Sequence, residues 1–442
     1  MTEMPKAGRS LLSVWEALEK DPVGRESGWV TALRRSGADI FRQRGFPTTQ
    51  DEEWKDTNVV SLSEIGFGPA PSAQLGIVPG YISSLRVGEA RGPRLVFING
   101  SFRPDLSDVR KLPPGVTVAS LRGVLRSRPG ELRNLLGRCA NVASSPFTAV
   151  NAALFIDGAF LRIGRGVALE NPIELSFLSV SNGVPVFSHP RNLIVAEEGS
   201  KASVIETYAG LNGSPYWVNP VTEIILEANA RLSHFKAQED NKGAFHVATI
   251  AVRQERDSVF ASHAFQLGGV LVRSNIETTL AGEGAECTMN GLFLLSGAQH
   301  SDTHTLIDHA SPHCTSLELY KGILDQKSRG VFDGKIIVRP DAQKTSARQT
   351  SRNLLLSKDA LVNSTPRLEI LADDVKCSHG ATIGNLDEQA IFYFRSRGIG
   401  EAEAREILTR AFANEIVDPI PFPSLRDHLT AVILKKLEGA TR

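Results

Sequence analysis

The spacing of apolar residues changes period twice along the chain. Leu11, Leu12, Trp15 and Leu18 fall on one helical face, and Trp29, Leu33, Ile40 and Phe41 do so again. A polar stretch that opens with Gly and Pro follows, GFPTTQDEEWKDTN (45–58), in which Trp54 is expected to be a packing anchor. Residues 63–93 are rich in Gly, Pro and Ser and predict a loose connection. From about residue 95 short β-rich runs take over: LVFI (95–98), NLIVA (192–196), VTEIILE (221–227), FHVATIAV (245–252), KIIV (335–338) and RLEIL (367–371). No long helical pattern interrupts them between about 190 and 385, unlike the βαβα alternation of a doubly wound fold. Helical spacing then returns. Ala404, Leu408, Phe412 and Ile416 step by four, and Pro419, Pro421 and Pro423 break the pattern. A second helix is expected to begin at the capping-box spacing of Ser424 and Asp427, with Leu425, Leu429, Val432, Ile433 and Leu437 on its apolar face.

A weak repeat runs through the β-rich region: Gly, Asn or Asp, then Ala or Ser, then a strand-like run. Its instances are GSKASV at 199, NARLSH at 229, DSVFAS at 257, GAECTM at 284, DAQKTS at 341 and DALVNS at 359, with steps of 30, 28, 27, 57 and 18 residues. A degenerate HASPHC at 309 lies inside the long step. Gly, Asn and Asp tolerate the left-handed backbone of a tight corner, and a small residue lets the next coil approach. Recurring corners between short strands predict a solenoid, specifically a β-helix. Turns in any β-protein favour the same residues, which is the plainer reading. The expected fold is mainly β in three parts: a helical region and linker (1–94), a β-helix core (95–390) and a C-terminal helical domain (391–442). The terminal helices are expected to cap the open ends of the stack.

Composition narrows the function classes. Lys plus Arg and Asp plus Glu number 49 each, so no basic excess is available to coat nucleic acid or an anionic membrane. No run approaches the ~18 apolar residues of a membrane span. The four cysteines, at 139, 287, 314 and 377, form neither a CxxC pair nor a disulfide framework, which fits a reducing compartment. MTEMPKAGRS has no apolar signal-peptide core, so a cytoplasmic protein is expected.

Candidate chemistry is sparse. GVFDGK (330–335) ends in Gly-Lys but lacks P-loop spacing, and Ile336 stands where the magnesium-binding hydroxyl belongs. Any ATP used must therefore be handled by a partner. QHSDTHTLIDHASPHC carries His300, His304, His309, His313 and Cys314. On a strand, residues four apart share a face, so His300 could converge with His304 and His309 with His313 as zinc or iron ligands, but they are read as structural or surface histidines, with metal binding as the alternative. In DDVKCSHGATIG (373–384), Cys377 and His379 are two apart and point the same way on a strand. Both can ligate iron, Cys377 as a thiolate aided by metal or by Lys376. Two ligands cannot complete a four-ligand cluster, so a second chain or an acceptor thiol must help. Gly380 leaves room for another backbone. Asp302, Asp308, Asp325 and Asp333 could alternatively serve a β-helix polysaccharide enzyme, although no paired-carboxylate spacing stands out.

The stretch CSHGATIGNLDEQAIFYFRSRGIGEAEAREILTRAF (377–412) resembles the C-terminal signature of the SufB/SufD family of iron–sulfur cluster assembly subunits, on its SufD side. The likeness extends upstream through residues 304–357, and GFPTTQDEEWK (45–55) resembles the family's N-terminal motif. The resemblance implies a right-handed parallel β-helix flanked by helices. It implies a non-catalytic scaffold in complex with a SufB-type subunit and a SufC-type ATPase, with a homodimer open to the chain in isolation. It implies no permanently bound cofactor and a transient Fe–S cluster at the SufB-type interface. His379 matches the family's contributing histidine, with Cys377 as its neighbour. Arg395, Arg397, Gly398, Ile399, Ile407 and Leu408 fall in the region that docks the ATPase. A stand-alone metal hydrolase using the 300–314 histidines is the rival reading.

Overall fold

A computed structural model describes residues 4–20, 27–70, 92–109, 112–181, 183–211 and 214–440; most of the connection expected at 63–93 lies outside them. The chain alternates between two sheets. The first runs in spatial order from Val116–Ser120 through Ala159–Ile163, Arg191–Ala196, Val221–Leu226, Ala244–Gln254, Leu271–Leu280, His300–His309 and Arg329–Val338 to Leu361–Ile370. The second runs from Ser101–Phe102 and Arg94–Ile98 through Ile173–Val180, Lys201–Leu211, Arg231–Glu239, Val259–Gln266, Glu286–Leu295, Thr315–Leu324 and Ser346–Leu355 to Lys376–Gly384. After an antiparallel start in each sheet, the ladders between successive coils are parallel. Arg231, for example, pairs with Lys201 behind it and Val259 ahead. The product is a β-solenoid of about 7 turns with helices at both ends of the sequence.

The repeat is the corner that feeds the second sheet. Gly199, Asn229, Asp257, Gly284, His313 and Lys344 all have positive φ, between 53° and 72°. A small buried residue follows each: Ser200, Ala230, Ser258, Ala285, Cys314 and Thr345. Each corner N–H donates to a carbonyl one coil ahead, as Asn229 does to Arg256 at 2.8 Å and His313 to Gln343 at 2.9 Å. Corners therefore stack because every buried backbone donor must find an acceptor. Three expected repeat positions move. The corner sought at 341 is Lys344, and the one near 309 is His313. DALVNS at 359 feeds the first sheet at Leu361, which explains its odd step of 18. Lys is a poor left-handed residue, so its corner carries no compositional signal, and His is a weaker signal than Gly.

The terminal helices flank the solenoid and do not cap it, contrary to expectation. Leu11 and Trp15 of the helix Lys6–Lys20, Phe41 of Gly28–Arg44 and Phe147 of Pro146–Leu154 pack on Trp217, Phe245 and Leu271 of the first sheet's outer face. Ala413, Ile416, Leu425, Leu429 and Ile433 of Glu401–Val417 and Pro423–Ala440 pack on Ile205, Phe235, Phe265, Leu292 and Ile323 of the second sheet. These outward apolar columns are what the helices bury, and burial of apolar surface drives the packing. The last helix starts at Pro423, and Arg426 N–H donates to Phe422 O. Ser424 thus lies inside the first turn, because proline suits the first helical position.

Candidate functional site

Leaving the solenoid end uncapped creates the site. Lys376–Gly384 pairs with Ser346–Leu355 on one side, and Leu361–Ile370 pairs with Arg329–Val338 on one side; each strand's other edge is unpaired among the described residues. Leu361, Ile370, Leu371 and Ile383 are exposed there. Register places Cys377 over Ala347 and His379 over Gln349, both buried inside the solenoid. Side chains in register on neighbouring strands share a face. Cys377 and His379 therefore face the solenoid's interior side on a coil with no further coil above it. Cys377 is half-buried against the core, and burial pushes its thiol up, with the Ala347 backbone hydrogen bond opposing that shift in part. Lys376, expected to activate it, lies on the opposite face. His379 is exposed and makes no hydrogen bond among the described residues. A Cβ added at Gly380 would meet nothing within 4 Å, so its small size serves no contact inside this chain.

Directly beneath lies a polar layer that the sequence did not reveal. Gln349 Nε2 donates to Glu318 Oε2 at 2.6 Å. Both residues are buried, and their remaining oxygens lack partners among the described residues, as do Thr305 Oγ1 and Tyr320 Oη. Burial pushes Glu318 up to about 7, against the opposing pull of the bond from Gln349. Glu and Gln in an alternating strand read as solvent-facing, and only coil-on-coil register shows that they point inward.

The expected docking residues sit beside this end. The helix Glu388–Ser396 closes with Gly398 at φ 86°, Gly398 N–H on Arg395 O and Ile399 N–H on Phe394 O, a Schellman stop that only a left-handed residue permits. Arg395 pairs with Glu401 at 3.5 Å, and the Arg397 guanidinium lies 5.3 Å from the Tyr393 ring centroid. Ile399, Ile407 and Leu408 are half-buried. Two aromatics go beyond the expected set: Phe392 is 72% and Tyr393 57% exposed. The Lys321 ammonium on Thr315–Leu324 ties this region to the sheet through Phe412 O and Glu415.

The histidine strand is occupied otherwise. His300 and His304 do share the outward face, but the 45–58 segment covers them. Thr57 Oγ1 lies 2.8 Å from His300 Nε2, and His304 contacts Glu53 at 3.3 Å and Asp302 at 3.2 Å. Burial opposes a charge on His304, yet Asp302 and Glu53 outweigh it and raise its pKa. Trp54 stacks on Phe147, and the Arg273 guanidinium lies over the Trp54 ring at 4.4 Å from its centroid. The pair His309 and His313 does not converge. His309 is inside, bonded to Ser316 at 2.9 Å, and His313 is an exposed corner. No group of three His, Cys, Asp or Glu among the described residues is placed to hold a metal ion. Three of the four acids proposed for sugar chemistry are tied up as well: Asp302 by Arg273, Asp308 by Arg339 and Asp333 by Arg367.

No described helix is long and apolar enough to cross a membrane. Residues 10–175 match the model of the SufBD protein N-terminal region. A SufBD family iron–sulfur cluster assembly protein of Synechocystis is 36% identical across 92% of this chain and 91% of its own length. The iron–sulfur cluster assembly protein SufD of Escherichia coli is 32% identical across 90% and 91%. The chloroplastic protein ABCI7 of Arabidopsis thaliana is 30% identical across 89% and 83%. Residues 177–412, the solenoid together with its open end, match the model of the SufBD core domain of SUF-system FeS cluster assembly, and the chain belongs to that family.

Proposed function

We propose that the chain is a scaffold subunit of iron–sulfur cluster assembly, without turnover of its own, that joins a SufB-type subunit end to end. The observation that carries this reading is the uncovered last coil: two free strand edges, exposed apolar side chains and two metal-competent groups on one face. A free edge is a template for pairing with another chain. Two ligands require others from that chain, because a cluster takes four. His379, with Cys377 as neighbour, contributes to the nascent cluster, which is cargo at the seam rather than a resident cofactor. The Cys377 thiol, raised by burial, becomes a ligand when metal displaces its proton.

The surface of Phe392, Tyr393, Arg395 and Arg397, with Ile399, Ile407 and Leu408 behind it, docks a SufC-type ATPase. Movement there reaches the solenoid through Glu415 and Lys321. The site of action is the cytoplasm or a comparable reducing compartment. The test is His379→Ala in the native cell. Cluster assembly should be abolished while the complex with the ATPase and the SufB-type subunit still co-purifies. Full assembly by that variant refutes the ligand role. In isolation the same free edges can pair two copies, which sedimentation of the purified chain measures.

A further inference from the structure

We propose that the cleft between the 45–58 segment and the outer face of the first sheet binds a linear aliphatic polyamine, one ammonium end on Glu277 and the other on Asp333. The cleft has a volume of about 350 Å³, within the range of small-molecule sites. Glu53 and Trp54 line it from the 45–58 segment, and Thr148 lines it from the helix Pro146–Leu154. The sheet supplies the rest. Register sets Glu277, Leu306, Lys335 and Arg367 in one row across four neighbouring strands, and all four line the cleft. Asp333, two residues before Lys335 on its strand, shares that face and lines the cleft as well.

The ligand class follows from which charges are already matched. Arg273 is paired with Asp302, Lys335 with Glu369, and His304 with Asp302 and Glu53. Arg367 donates two hydrogen bonds to Asp333, and both land on Oδ1, so Oδ2 has no donor among the described residues. Glu277 is half-buried and makes no hydrogen bond or ion pair among the described residues. Burial, with repulsion from Glu53 added to it, raises its pKa. A carboxylate without a counter-charge, in a cleft whose cations are all matched, selects a cation. No three His, Cys, Asp or Glu among the described residues are placed to hold a metal ion, which favours an organic one.

The shape sets its length. Neighbouring strands lie about 4.8 Å apart, so the strands of Glu277 and Asp333, separated by that of Leu306, are roughly 10 Å apart. Leu306 between them seats a methylene chain, as the stem of a lysine lies along apolar surface. A monoamine reaches one carboxylate, whereas a chain as long as spermidine reaches both with charge-assisted hydrogen bonds.

The test is calorimetric titration of the purified full chain with spermidine in about 0.15 M salt, where attraction between exposed charges is screened. One site should saturate, and butylamine, with a single ammonium, should bind roughly 10-fold more weakly or worse. Glu277→Gln, which keeps the shape and removes the charge, should weaken spermidine roughly 10-fold or more. Leu306→Lys, which places an ammonium of its own beside Glu277, should block the site, and it provides the reading if Glu277→Gln does not fold. No binding by the wild type, equal affinity for butylamine, or unchanged affinity in the folded variants overturns the proposal. The titration needs neither partner nor cluster, so its outcome is independent of the ligand role of His379.

Discussion

Replacing Glu318 by Gln should make the protein more stable than the wild type at pH 8, but not at pH 4.5. Glu318 lies inside the solenoid, and burial raises its carboxyl from 4.5 to about 7. Between those values the unfolded chain has released this proton and the folded chain still holds it. Stability therefore falls as pH rises through this window, and the contribution is lost once pH passes the folded pKa. Each unit is worth about 1.36 kcal/mol, so the full cost of the ionised form is about 3 kcal/mol. Glutamine keeps the shape and can still accept from Gln349, but it does not titrate. The difference between variant and wild type should thus grow by about 3 kcal/mol from pH 4.5 to pH 8, with most of the change between pH 5 and 7. Urea unfolding at several pH values measures it, since other titrating groups cancel in the difference. A difference that stays flat across that range refutes the reasoning and means that the carboxylate is solvated or paired in the fold.

Lys344→Gly should stabilise the protein by about 1 kcal/mol, because a side chain at φ 62° is strained and glycine is not; a drop in the unfolding midpoint would count against the corner assignment. The thiols should alkylate in a fixed order. Cys377 reacts first and more slowly than a free thiol, whereas buried Cys287 and Cys314, and Cys139, whose thiol burial pushes up to about 12, react only on unfolding; peptide mass spectrometry after timed iodoacetamide treatment checks this.

The flanking helices, the β-rich middle and the corners at Gly199, Asn229, Asp257 and Gly284 were legible because each rests on local chemistry: apolar period, or a residue that tolerates positive φ. The corners at His313 and Lys344 were not placed, since neither is a glycine and the stack of neighbouring coils imposes the Lys344 backbone against local preference. The helices Leu121–Ser127 and Pro146–Leu154 also went unread, the latter being buried all round, so that it shows no amphipathic stripe. Cys377 and His379 were visible as a pair because two residues along a strand always share a face. That they look inward onto Gln349 over an uncovered end was not visible, because register between coils some thirty residues apart is a tertiary quantity.

By itself, then, the sequence pointed to a solenoid, to four of its corners and to the strand that holds the metal-competent pair. The tertiary structure alone decided that the helices lie along the flanks and the coil end stays open, through competition for apolar area between distant surfaces. It also decided that Glu318 and Gln349 are interior and that His300 and His304 are latched beneath Thr57 and Glu53. Spacing along a chain sets which side chains share a face, but only the packing of one coil on the next sets what each face meets.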